Sequence, residues 1–147
     1  MVFRELDKQV LVADSPMRPQ DMAEAAARGV TLAINNRPDG EAFDQYDAAT
    51  LGEAAGAAGL DYLHLPVELE FSGEKVEALL EAMNGASGRV LIFCKSGTRS
   101  AYLWALARAR AGAQPEALIN NAGRIGYNIR PLMPWLKPSE GGTPPAS

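Results

Sequence analysis

The residue types best suited to covalent chemistry lie together in one stretch, Cys94-Lys95-Ser96-Gly97-Thr98-Arg99-Ser100. The run before it, Arg89 to Phe93 (RVLIF), is continuously apolar and predicts a strand covered on both faces. The run after it, AYLWALARARA, predicts an apolar helix. A strand, a tight glycine-containing loop and a helix N-terminus make an anion site: unpaired backbone N–H groups converge there and the helix dipole is positive. The same donors favour the thiolate of a cysteine placed in the loop. Arg99, in the first helical turn, carries a planar fork that matches two oxygens of a phosphate or sulfate. One short loop thus offers a nucleophile, Cys94, and an oxyanion cradle made by Lys95, Ser96, Gly97, Thr98 and Arg99.

Three elements have to hold this loop in place, and the rest of the chain supplies a consistent set. Val10–Val12 reads as a short strand. A helix opened by Pro19 runs through DMAEAAAR to Gly29. Val30–Ile34 is a second buried strand, followed by the turn residues Asn35 to Gly40. An Ala-rich helix is expected over Asp44–Ala58, a strand over Asp61–Leu65, and a helix over Gly73–Met83 with Ser72 as its N-cap. Pro115 opens a last helix, EALINNAG, and Trp135 sits in a C-terminal turn. This β-α alternation predicts an α/β fold with a mostly parallel central sheet flanked by helices. Ligands of such sheets bind at the carboxyl ends of the strands. The loops Asn35–Glu41, Pro66–Gly73 and Cys94–Arg99 are therefore expected on one face of the molecule.

Composition narrows the function classes. The chain has 147 residues, 47% of them hydrophobic and 22% charged, which suits one globular domain over 1–137 with a flexible tail over 138–147. Net charge is −4, which argues against nucleic-acid and anionic-membrane partners. No apolar run approaches the roughly 18 residues of a membrane span, and the N-terminus lacks the apolar core of a signal peptide, so a cytoplasmic protein is expected. One cysteine excludes an intramolecular disulfide, and with one histidine it makes no usual zinc site. No metal or cofactor is expected. The expected partner is a phosphorylated substrate or another oxyanion.

The loop CKSGTRS resembles the signature of cysteine-dependent phosphatases, His-Cys-x5-Arg-Ser/Thr. GVTLAINNRPDGE resembles a strand followed by Asn-Arg-Pro-x-Gly-Glu, and LDYLHLPV resembles Tyr-x-His-x-Pro-Val. Together these segments resemble the phosphatase-like domain family of the β-lactamase hydrolase-like protein, whose fold is that of dual-specificity phosphatases. The resemblance covers roughly residues 1–135. There are two departures. Only four residues separate Cys94 from Arg99, a spacing that also resembles the active loop of rhodanese sulfurtransferases, and Phe93 stands where phosphatases carry His.

The resemblance implies hydrolysis of phosphate monoesters through a phosphocysteine. Cys94 is the nucleophile, Arg99 holds the phosphoryl oxygens, and Ser100 hydrogen-bonds the sulfur. The loop where relatives carry an acidic Asp here reads PVELEFSGE, which makes Glu70 the leading general acid, ahead of Glu68. Asp39 and Glu41 on the neighbouring loop can also reach the site, with Asp39 the runner-up acid. Arg37 is expected to contact substrate anions or to pair with Asp39. His64, Tyr102 and Trp104 read as structural, and Arg108 and Arg110 as surface charge. Two other functions fit the loop: a sulfurtransferase using a Cys94 persulfide, and a catalytically weak domain that binds anions or a partner.

Overall fold

The computed structural model describes residues 2–68 and 70–136. The expected tail over 138–147 lies outside them. Five strands form one sheet: β1 (Phe3–Glu5), β2 (Val10–Ala13), β3 (Val30–Asn35), β4 (Asp61–His64) and β5 (Arg89–Phe93). Their spatial order is β1-β2-β5-β3-β4. β2, β5, β3 and β4 are parallel and β1 runs antiparallel to β2, so the sheet is mostly parallel as expected. β5 is central, paired on both sides, and is buried from Val90 to Phe93. This is why its sequence is a continuous apolar run rather than an alternating one.

Helices cover both faces. α1 (Asp21–Ala27) and α2 (Ala48–Ala57) pack on one side over Leu11, Ala33, Leu91 and Phe93. On the other, α3 (Gly73–Gly85), α4 (Thr98–Arg110), α5 (Pro115–Arg124) and the short α6 (Met133–Leu136) pack over Val12, Ile34, Val90 and Ile92. Successive β5 residues alternate between the two cores, as the period of a strand requires.

Two boundaries differ from expectation for physical reasons. α2 begins at Ala48 rather than near Asp44, because two carboxylates cap it there: Asp47 accepts the Thr50 N–H at 2.8 Å and Asp39 accepts the Ala48 N–H at 2.7 Å. α1 begins at Asp21 rather than Pro19, its side chain accepting the Arg18 N–H at 2.9 Å. Ser72 caps α3 as expected, accepting the Lys75 N–H at 3.3 Å.

Tyr102 stacks at a tilt on Phe71 with ring centroids 5.8 Å apart, and Trp104 is fully buried, so both aromatics pack as expected. Arg108 is not free surface charge. Its Nε donates to Asp7 at 2.9 Å, and the Trp104 indole N–H donates to the same carboxylate at 2.8 Å. This ties α4 to the β1–β2 turn.

Candidate active site

Cys94 directly follows β5, and α4 starts at Thr98, so the turn between them is only four residues long. Gly97 makes that turn possible. It is the N-cap of α4 with φ of 97°, a left-handed conformation that side chains rarely adopt. A Cβ there would run into the Tyr127 hydroxyl and would lie 2.8 Å from the Ala13 carbonyl oxygen. The Gly97 N–H points inward and donates to Cys94 Sγ at 3.2 Å. Cys94 is buried, whereas Lys95, Ser96 and Thr98 are exposed around it. The backbone of the turn forms a rim beside the buried sulfur, with the Gly97 N–H facing it. Tyr127 fastens that rim by donating its O–H to the Ser96 carbonyl at 2.8 Å. Burial first, then the nearby Asp14 and Cys94 charges, pushes the Tyr127 phenol up to about 12, so this donor stays protonated at neutral pH.

Arg99 rises from the first turn of α4, and its bond to Glu41, with a lesser share from the nearby Cys94 sulfur, holds it cationic. Its Nη1 donates to Glu41 Oε2 at 2.6 Å and to the Val67 carbonyl at 2.8 Å; its Nη2 donates to Glu41 Oε1 at 2.9 Å. Glu41 also accepts from Arg37 Nε at 3.0 Å. The Arg99 contact, acting with Arg37 and against a smaller effect of burial, holds the Glu41 carboxyl below the usual carboxylate range. Arg37 pairs with Glu41 rather than with Asp39. It is buried and anchors Glu41. Asp39 caps α2 through one oxygen, Oδ1, and also lines a cavity with Glu68.

Ser100 also differs from expectation. Its buried hydroxyl donates to Asn36 Oδ1 at 2.7 Å, so its one proton is committed away from the sulfur. Asn36, which sequence reasoning did not single out, joins three segments. Its N–H donates to the Phe93 carbonyl at 2.7 Å, its Nδ2 donates to the Leu65 carbonyl at 2.9 Å, and its own carbonyl accepts the Val67 N–H at 2.8 Å. His64 joins β4 to the neighbouring loop, its Nε2 lying 2.9 Å from the Arg37 carbonyl oxygen.

The loop after β4 is tied to the site through Val67. Glu68 lines a shallow cavity of about 300 Å³ with Asp39, His64 and Lys75. Glu70 is exposed, and among the described residues no hydrogen bond joins it to the Cys94 loop. No group of three or more His, Cys, Asp or Glu that could hold a metal ion occurs among the described residues. Nor, within them, is any helix long and apolar enough to cross a membrane.

The chain has counterparts among known proteins. Residues 2–111 match the family described as "Beta-lactamase hydrolase-like protein, phosphatase-like domain". The chain belongs to that family. A beta-lactamase hydrolase-like protein of Agrobacterium fabrum is 32% identical over 141 residues, which cover 95% of this chain and 32% of that protein. The chain thus spans about a third of the length of the curated relatives it matches. Among solved structures, a provisionally assigned phosphatase from Neisseria meningitidis superposes with a TM-score of 0.78 at 28% identity, covering 90% of this chain and 94% of that one. Tk-PTP in its active form shares the fold with a TM-score of 0.66 at 20% identity, covering 87% of each chain. The fold and the domain are of the phosphatase type.

Proposed function

We propose that this protein is a cysteine-dependent phosphatase that hydrolyses phosphate monoesters. The observation that carries the reading is the division of labour on Arg99. Glu41 and Val67 occupy Nη1 and one N–H of Nη2. Nε–H and the second Nη2 N–H form the other edge of the fork, the geometry that grips two phosphoryl oxygens. The α4 N-terminus and the loop N–H groups supply the remaining donors.

In the proposed reaction Cys94 attacks phosphorus, an S–P bond forms and the bond from phosphorus to the leaving oxygen breaks. Glu70, on the segment that Val67 ties to Arg99, protonates that oxygen. Water then attacks the phosphocysteine, giving its proton to the Glu70 carboxylate; the S–P bond breaks and phosphate leaves. Glu41 cannot take the acid's role, because its carboxyl is held ionised by two guanidinium groups. It is a positioning residue. Ser100 supports the loop through Asn36.

The test is a paired assay on wild type and Cys94→Ser: release of phosphate from an aryl phosphate, against formation of thiocyanate from thiosulfate and cyanide. Phosphatase turnover lost in Cys94→Ser supports the proposal. The short Cys-x4-Arg spacing favours a second reading, sulfur transfer through a Cys94 persulfide, and thiocyanate without phosphate release would establish that one instead. Glu70→Gln is expected to slow alkyl phosphates much more than aryl phosphates, whose leaving groups need no proton. An equal small effect on both would leave Glu70 a surface carboxylate and move the search to Glu68 and Asp39.

A further inference from the structure

The chain has ten arginines and more carboxylates than cations. Among the described residues eight of the ten, Arg4, Arg18, Arg28, Arg37, Arg89, Arg99, Arg108 and Arg110, pair with an Asp or Glu. The other two, Arg124 and Arg130, line one and the same groove, of about 470 Å³. Among the described residues no carboxylate lines it; its other polar side chains there are those of Asn120, Tyr127 and Asn128. Both arginines are exposed, and among the described residues the Arg124 guanidinium donates one hydrogen bond, to the neutral side chain of Asn121 at 3.1 Å.

The groove adjoins the active loop. Tyr127, which forms part of its wall, is the residue whose hydroxyl holds the Ser96 carbonyl at 2.8 Å. The Asn128 carbonyl accepts from the Tyr102 hydroxyl at 3.4 Å. The groove lies beyond residues 2–111, the part of the chain that matches the family. In an acidic protein, two guanidinium groups that face one groove with no carboxylate among its described residues provide a local positive field next to the proposed phosphoryl site.

We infer that this groove is a second anion subsite, which binds a further phosphate or carboxylate of the same substrate while its phosphoryl group lies over Cys94. The inference rests on the phosphatase reading for the orientation of the substrate. It makes the preferred substrates polyanionic: a phosphorylated segment flanked by acidic residues or by a second phosphate.

The experiment uses one phosphotyrosine peptide sequence in three forms: with neutral flanks, with Asp and Glu flanks, and with a second phosphorylated residue. Affinities are measured on Cys94→Ser, and turnover on the otherwise wild-type chain with p-nitrophenyl phosphate alongside. Replacing both arginines, Arg124→Gln with Arg130→Gln, should weaken binding of the acidic or the doubly phosphorylated peptide by about tenfold. The neutral peptide and turnover of p-nitrophenyl phosphate should change little, and the melting temperature should not move. Which of the two peptides responds tells whether carboxylate or phosphate is the natural second anion. Equal affinity of Cys94→Ser for all three peptides, or a uniform loss across them in the arginine variant, overturns the inference. If wild type turns over no phosphate ester, the phosphatase reading fails by itself, and the Cys94→Ser affinities still decide whether the groove binds anions.

Discussion

The Arg99 guanidinium has two edges, and Glu41 holds one of them. Glu41→Gln keeps the shape but removes the charge, so the arginine loses its orientation as well as its partner. We expect kcat/KM on aryl phosphates to fall by about tenfold or more, chiefly through KM, as measured by steady-state kinetics. The pH dependence has a definite sign. The folded-state carboxyl of Glu41 lies below its unfolded value, so the pair adds stability above the unfolded value, and that stability is lost as pH falls through the folded one. Urea unfolding should therefore separate wild type from Glu41→Gln at neutral pH and bring them together in strong acid. Gly97→Ala should cost about 1–3 kcal/mol, from the positive φ and the Ala13 carbonyl in the way, and should abolish vanadate binding by displacing the N–H that faces Cys94. Cys94, Gly97 and Arg99 were legible in the sequence because the chemistry is local, within one turn. The Arg99–Glu41 pair spans 58 residues and the Ser100–Asn36 pair spans 64, and only the folded sheet brings such partners together.

At the scale of elements, the site exists because the carboxyl ends of β3, β4 and β5 are fastened to one another. Asn36 does this with both its backbone and its amide. Asn36→Ala leaves the buried Ser100 hydroxyl and the Leu65 carbonyl without their partner. It should destabilise the fold by about 2–4 kcal/mol in urea titrations. The loop after β4 should loosen as well, visible as faster amide exchange at Leu65 and Val67 than at β5 residues such as Leu91. The strands and helices with strong periodicity were readable from the sequence, β5 and α3 above all. β1 was not, because three residues, FRE, with one buried side chain carry no pattern; it is a strand only because β2 offers it an edge. The start of α2 was misplaced because one of its two caps, Asp39, acts from nine positions away, through the path of the loop.

At the scale of the whole molecule, the larger of the two cores is built around Trp104, which also donates to Asp7. Burial alone would push the Asp7 carboxyl up, but hydrogen bonds from Arg108, Trp104 and the Val10 N–H hold it below its usual value. Trp104→Phe removes both volume and a donor, and should cost about 2–4 kcal/mol in denaturant unfolding without changing the KM for an aryl phosphate. One feature of the site reaches beyond the site itself. Cys94 is the only cysteine in the chain, and it lies buried in the loop. Every thiol event in the folded protein is therefore an event at Cys94, with no background. Alkylation should add a single adduct by intact mass, and the modified fraction should equal the inactivated fraction at every time point. Phosphate should slow the two in parallel. Under the proposed function, that single adduct counts the competent sites, one per chain, in any preparation.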